Sequence, residues 1–264
     1  MKYITRIVLI FFCLFSMAFA DKLQIKVDGK NIDLPYWPAK KDKYGAVLLI
    51  NGGEQAQATA LLDNLANQLA ENGWQVVLLN NDTSITVPWI KQFPEVITAL
   101  RKQKNVRVVL LHYGEQLKQT FDFLGKSPVP EIEGLVLLSA YDVPPPNNTD
   151  KKPELKMPVF DIVGQFDYDM TKQEMAARKK EFGPNKDNYL ALEIPGAHHD
   201  YEYSRQLLFS FIHGWMVKLP EFQPKPPPVM YSYLAPIKLF FKEQVAKNQE
   251  SDWSGYFEHP LEID

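Results

Sequence analysis

Along most of the chain, short continuous apolar runs alternate with stretches whose apolar residues recur every three or four positions. Ala46–Ile50, Gln75–Leu79, Arg107–Leu111, Gly134–Ser139, Met157–Val163 and Tyr189–Ile194 are the runs; their length and predominantly apolar make-up predict strands covered on both faces. Between the first two, Ala58, Leu61, Leu62, Leu65 and Leu69 share one helical face, and Gly73 follows as a stop. Pro94–Lys102 predicts a helix with Val96, Ile97 and Leu100 inward, and Leu117–Leu124, Lys172–Phe182 and Tyr201–Lys218 predict three more. Lys22–Ile32 alternates polar and apolar residues and suits an edge hairpin. Strands that alternate with helices in this way predict an α/β protein, a doubly wound and mostly parallel sheet joined by right-handed crossovers.

Three segments depart from the alternation. Met1–Ala20 has Lys2 and Arg6, an apolar stretch from Ile7 to Phe15, and Ala18-Phe19-Ala20 ahead of Asp21, the form of a secretory signal peptide. Its apolar stretch is shorter than the ~20 residues of a membrane span, so no span is expected after cleavage. Asp142–Lys156 is rich in proline and polar residues, reads as a surface loop, and is too short for a large lid domain. Residues 220–264 begin with Pro220, Pro224, Pro226, Pro227 and Pro228, a stiff linker, and end in an aromatic stretch with Trp253, Tyr256 and Phe257. The expected organisation is therefore a signal peptide at 1–20, a strand or hairpin segment at 21–45, an α/β domain at 46–219, and a linker and C-terminal extension at 220–264.

Removing the first 20 of the 264 residues takes Lys2 and Arg6 with it, so 29 basic and 32 acidic residues become 27 and 32, a net charge of −5. The sole cysteine, Cys13, leaves with the same segment. Disulfides, thiolate chemistry and cysteine zinc sites are thereby excluded from the mature chain. There is no dense Lys/Arg cluster of the kind that binds nucleic acid, and the Thr83–Thr86 loop lacks a phosphate-binding glycine signature. No cofactor is expected. Export places the protein in the periplasm rather than outside the cell.

The candidate chemistry gathers at the ends of the predicted strands. Arg107–Leu111 opens into His112-Tyr113-Gly114-Glu115-Gln116; Ala46–Ile50 into Asn51-Gly52-Gly53; Met157–Val163 into Gly164-Gln165-Phe166-Asp167; and Tyr189–Ile194 into Pro195-Gly196-Ala197-His198-His199-Asp200-Tyr201. In order and spacing these resemble the α/β-hydrolase fold, and more narrowly a bacterial envelope family of unknown function built on it, from about Ala46 to Leu219. The resemblance implies that Asn51, Gly52 and Gly53 stand at the oxyanion loop, Gly114 at the nucleophile elbow, Asp167 at the acid and His199 at the histidine of a triad.

Acyl transfer needs a nucleophilic oxygen or sulfur, a base to take its proton and a carboxylate to orient the base. Asp167 and His199 can supply the last two, but Gly114 has no side chain, and the flanking positions that should be small carry His112 and Gln116. Glu115 is weighed as a substitute base or, alternatively, as a first-turn acid of the following helix. Ser139 is weighed as a substitute nucleophile or as a serine that satisfies nearby backbone groups. His112 and His213 read as packed structural residues. The adjacent His198 and His199 lack the spacing of a metal-ligand pair, so no metal is expected. The sequence thus favours a non-catalytic envelope protein that acts in binding or assembly, as in a secretion apparatus, and docks another envelope protein through its C-terminal tail. The alternative is an unconventional esterase-like hydrolase working through Asp167 and His199.

Overall fold

The computed structural model describes residues 21–52, 56–79, 87–125, 131–143, 155–183 and 188–221. The expected signal peptide, Gly53, the Thr83–Thr86 loop and the tail with Trp253, Tyr256 and Phe257 lie outside the described residues. The elements are β1 (Asp21–Val27), β2 (Lys30–Trp37), β3 (Gly45–Asn51), α1 (Ala56–Glu71), β4 (Trp74–Leu79), α2 (Trp89–Lys102), β5 (Val108–Tyr113), α3 (Leu117–Leu124), β6 (Gly134–Leu138), β7 (Val159–Phe166), α4 (Asp169–Phe182), β8 (Tyr189–His198) and α5 (Arg205–Met216). The strands form one sheet in the order β1-β2-β4-β3-β5-β6-β7-β8, parallel from β4 to β8, with the β1–β2 hairpin antiparallel at one side. The doubly wound sheet is therefore present, and the hairpin joins it through Tyr36 and Trp37 against β4.

Alternation along the central strands sorts the core into two layers. Ala46, Leu48 and Ile50 of β3 join Leu110, Leu135 and Phe93 on one face; Val47 and Leu49 join Leu111, Val136 and Ile212 on the other. Every residue of β5 and β6 is buried, as continuous apolar runs in a parallel sheet must be. After β3 the chain first adds β4 on one side and later β5 on the other. This is the sheet's topological switch point, and open α/β sheets bind ligands beyond the C-terminal strand ends at such a point.

Boundaries differ from expectation where burial overrides local signals. α2 begins at Trp89, ahead of Pro94, because Trp89, Gln92 and Phe93 are buried and draw an extra turn of helix onto the sheet. Helix α5 starts four residues later than expected, since Tyr201–Ser204 form turns before it. Strand β8 runs on through Gly196, at φ 72°, as far as His198, which pairs with Phe166 across a register shift.

α4 offers almost no apolar face: its buried residues are Thr171 and Arg178. Besides Phe182, which packs against Phe121 and Tyr189, its attachment is ionic. Arg178, 2% exposed, donates from Nε to Asp161 Oδ2 at 2.7 Å and from Nη2 to Oδ1 at 3.1 Å, while Tyr189 donates its hydroxyl to the same carboxylate at 2.5 Å. Glu174 extends the network by accepting from Arg178 at 3.4 Å and from the Asp142 N–H at 3.1 Å. Removing one partner of such a pair strands a buried charge, at a cost of about 3–5 kcal/mol, whereas replacing both with apolar groups is close to neutral. Arg178→Met is accordingly expected to lower the urea unfolding free energy by about 3–5 kcal/mol. The double variant with Asp161→Leu recovers most of that loss; equal losses in the single and double variants would contradict the ionic anchor.

Candidate active site at the ends of β5, β7 and β8

The turn after β5 is held from both sides. Gly52 donates its N–H to Tyr113 O at 2.8 Å, and a Cβ on Gly52 would collide with the Glu115 backbone, so the ends of β3 and β5 close on each other only because position 52 is glycine. On the other side Gly114 N–H reaches Leu138 O at 3.2 Å and Tyr141 N–H reaches Gly114 O at 2.9 Å. Gly114 itself has φ 81°, the left-handed backbone expected of a sharp strand-to-helix bend, and the side chain that would act from this point is absent.

His112 and Gln116, too large for the usual elbow pattern, are accommodated differently. His112 is 1% exposed; its Nε2 lies 2.8 Å from Glu115 O and its Nδ1 2.9 Å from Thr120 Oγ1. A carbonyl only accepts, so Nε2 carries the proton and Thr120 donates to Nδ1. The imidazole thus staples the turn to α3. Gln116 is exposed and takes φ 64° as the residue that precedes α3. Because α3 starts at Leu117, Glu115 is not a first-turn acid: it belongs to the turn ahead of the helix, where Tyr141 donates a hydrogen bond to its carboxylate at 3.0 Å.

Asp167 and His199 meet as the sequence predicts. His199 Nδ1 lies 2.7 Å from Asp167 Oδ1; the carboxylate only accepts, so the neutral imidazole has its proton on Nδ1 and its lone pair on Nε2. Both residues are buried, at 5% and 8% exposure. Oδ1 also accepts the Tyr168 N–H at 2.8 Å, and Oδ2 accepts the Gly164 N–H at 3.3 Å and the hydroxyl of Ser139. Burial pushes the Asp167 carboxyl up, but the hydrogen bonds from His199 and Ser139 outweigh it, and the group titrates below its ordinary value.

Ser139 takes neither of its expected roles. It is fully buried just past β6 at φ 45°, and its hydroxyl serves the Asp167 carboxylate rather than the histidine or a backbone group. Its single proton goes to Asp167, so Tyr201 donates to Ser139 Oγ across 2.7 Å. The result is a directed chain, Tyr201 to Ser139 to Asp167, with His199 on the far oxygen. A serine whose proton is already held by a carboxylate is not the one a histidine base activates.

The tyrosines around this pair carry no distinctive sequence signal beyond their position near strand ends. Tyr168 stacks on the His199 ring at 4.4 Å and 28°, with Tyr113 at 5.3 Å and Tyr141 at 6.1 Å. Burial first, and then the Asp167 charge, raises the Tyr113 and Tyr201 hydroxyls; burial and the hydrogen bond to Glu115 raise Tyr141. All three remain protonated donors. His198, in contrast, is exposed and lies against Phe166 at 5.3 Å. Of the expected oxyanion donors, the Gly52 N–H is consumed within the sheet, Asn51 pairs with Tyr113 at the strand end, and Gly53 is outside the described residues.

No protein-family model matches the chain, and neither does any curated protein. Solved structures do. Est1E from Butyrivibrio proteoclasticus is 14% identical with a TM-score of 0.57, covering 75% of this chain and 98% of its own. An α/β serine hydrolase without a lid from Xanthomonas campestris is 15% identical with a TM-score of 0.56, covering 78% and 98%. Thermogutta terrifontis esterase 2, phosphoramylated by tabun, is 12% identical with a TM-score of 0.53, covering 76% and 96%. At these identities the likeness is one of architecture, and it establishes the α/β-hydrolase fold.

Burial pushes the His112 imidazole down to about 4, against the opposing pull of the carbonyls of Glu115 and Gly114. In the unfolded chain a histidine takes its proton near 6.5. Between those values the unfolded state binds more protons than the folded one, so stability is complete above the upper value and falls as pH drops through the window. Urea unfolding at a series of pH values is expected to show about 3 kcal/mol more loss in the wild type than in His112→Gln between about pH 7 and about pH 4. Parallel pH profiles would remove His112 from the account. The Asp167 contribution begins to fade as pH falls through the ordinary carboxylate range, and that loss is common to the wild type and His112→Gln.

Proposed function

We propose that this protein is an exported, non-catalytic member of the α/β-hydrolase fold that serves the cell envelope by binding or assembly. One observation carries the reading: the bend after β5 has glycine at φ 81° where a nucleophile belongs, although the Asp167–His199 pair is in place at 2.7 Å. The nearby serine hydroxyl is engaged by Asp167. When the nucleophile is removed from a complete triad, about 10⁶ in kcat is lost and only the smaller contribution of binding and fixed donors survives. The form of Met1–Ala20 supports export to the periplasm, and the proline-rich and aromatic segment at 220–264, with Trp253, Tyr256 and Phe257, supports docking of an envelope partner.

The Asp167–His199 geometry also favours a second reading, in which the pair acts as a general base on water and the protein is a slow hydrolase. A fluorophosphonate label combined with p-nitrophenyl acetate turnover separates the two. The mature protein is expected to take up no label and to hydrolyse the ester no faster than His199→Ala. Turnover that falls in His199→Ala would establish the hydrolase, and labelling would reveal a nucleophile that neither reading contains. For the tail, a chain ending at Glu221 is expected to lose its envelope partner while keeping its melting temperature. That cut spares Leu219, which is buried and accepts a hydrogen bond from Arg107 at 2.8 Å. Retention of every partner by the shortened chain would exclude the docking arm.

A further inference from the structure

The sheet ends on each side in a strand with a single neighbour among the described residues, β1 and β8. The outer backbone groups of such a strand are a template for one more strand unless charge, a bulge or a covering element blunts them. The two edges differ in this respect. From Lys22 to Val27 the exposed side chains of β1 are Lys22, Gln24 and Lys26. Two β1 strands paired antiparallel about Gln24 would set each Lys22 opposite a Lys26, and like charges facing each other are destabilising. From Tyr189 to Leu192, β8 has no charge, and Leu190 is 51% exposed.

Hydrogen bonding fixes which way the β8 backbone points. Val159 donates its N–H to Asn188 O at 2.7 Å, and in a parallel pair alternate residues turn both backbone groups to the neighbour. Leu190 and Leu192 therefore share that direction toward β7. Tyr189, Ala191 and Glu193 turn their N–H and C=O groups outward, where no strand follows among the described residues. Pro195 has no N–H and closes this stretch.

The side chains beside that edge are apolar. Leu190 is in register with Phe160 and Leu192 with Ile162, so both leucines lie on the sheet face that α5 covers. Leu207, Phe211 and Trp215 form one stripe of α5, four residues apart, and Trp215 packs on Phe160 with ring centroids at 5.4 Å. Leu207 and Phe211, on the same stripe, are 43% and 37% exposed.

A second copy of the chain meets the backbone and the side chains together. In an antiparallel pair of β8 strands with its twofold axis at Ala191, each outward residue gains two hydrogen bonds: Ala191 from the partner's Ala191, Tyr189 from the partner's Glu193, and the reverse. The same register sets Leu190 against the partner's Leu192, in the closer, non-hydrogen-bonded type of cross-strand pair. The only carboxylates in the ladder, the two Glu193 side chains, each face a tyrosine and not each other. We infer that the protein is a dimer joined edge to edge through β8, with one sheet running through both copies. The strands of the two copies run in opposite directions, so their strand-end sites face away from each other and a dimer can bridge two partners. The dimer holds whether or not the β5 bend is catalytic.

Sedimentation equilibrium of the mature chain is expected to give about twice the monomer mass. Leu190→Lys and Ala191→Pro should each weaken association about tenfold or more, the second by removing an outward N–H that β7 does not use. Near-ultraviolet dichroism checks their folds, and Leu190→Lys, at an exposed position, stands alone if Ala191→Pro unfolds. Residues 21–264 contain no cysteine, so Ala191→Cys supplies the only thiol. Cα atoms in a hydrogen-bonded antiparallel pair are about 5.5 Å apart, within disulfide reach. Mild oxidation should link Ala191→Cys copies in pairs and leave Gln24→Cys, on the other edge, monomeric. A monomer at every concentration, a dimer unmoved by Leu190→Lys, or equal cross-linking at positions 24 and 191 overturns the inference. A dimer that survives the β8 variants and is lost when the chain ends at Glu221 assigns the contact to residues 222–264 and overturns it too.

Discussion

A carboxylate taken out of water must find donors to replace the hydration it loses, or it gives up its charge. Asp167 finds four: a histidine from the end of β8, a serine from the end of β6, and two backbone N–H groups from the chain around itself. That requirement draws three neighbouring strand ends together. It also explains why Ser139 tolerates φ 45° and why Tyr201 is wholly buried at φ 51°, since each is placed to pass a hydrogen bond toward the same oxygen. Strained backbone at a strand end persists only where surrounding contacts over-determine it, and here the demand of one charge does so.

The β5 bend is built by a separate set of forces. Its closure depends on Gly52 meeting the Glu115 backbone, on His112 bridging Glu115 and Thr120, and on hydrogen bonds from β6. None of these involves a side chain at position 114. The scaffold of a nucleophile elbow is thus independent of the nucleophile, and glycine, which adopts φ 81° without steric cost, is the residue that conformation accepts most readily. The conformation of this bend therefore needs no side chain at position 114.

Much of this was legible in the chain. Continuous apolar runs separated by helical periodicity located every central strand, because strands buried on both faces are predominantly apolar; the buried exceptions Gln75, His112 and Asp161 each meet a hydrogen-bond partner. The Asp167–His199 meeting followed from two strand-end motifs in the right order. What was hidden depends on distant contacts. The extra turn of α2 ahead of Pro94 comes from burial of Trp89 and Phe93, which the proline's local signal obscured. The ionic anchor of α4 rests on Arg178 meeting Asp161, a contact that no spacing along the chain reveals before the helix is placed on the sheet. Ser139 looked like a strand-end hydroxyl, and only the fold shows that the carboxylate already holds its proton.

A histidine fixed by a carboxylate and partly enclosed by three tyrosines is a costly ornament if its only task is to join two loops. Loop pinning would be served as well by an apolar contact, since buried ionic and polar groups often contribute no more stability than hydrophobic replacements of the same shape. What an apolar contact does not provide is a lone pair of fixed direction. With Nδ1–H committed to Asp167, Nε2 is an acceptor whose orientation is set before any ligand arrives, and Tyr168 holds the ring plane. In a complete triad that same preorganised lone pair takes a proton from serine. Where the serine is missing, the feature that survives is directional hydrogen-bond acceptance beside exposed aromatic faces, which is a requirement of recognition as much as of catalysis.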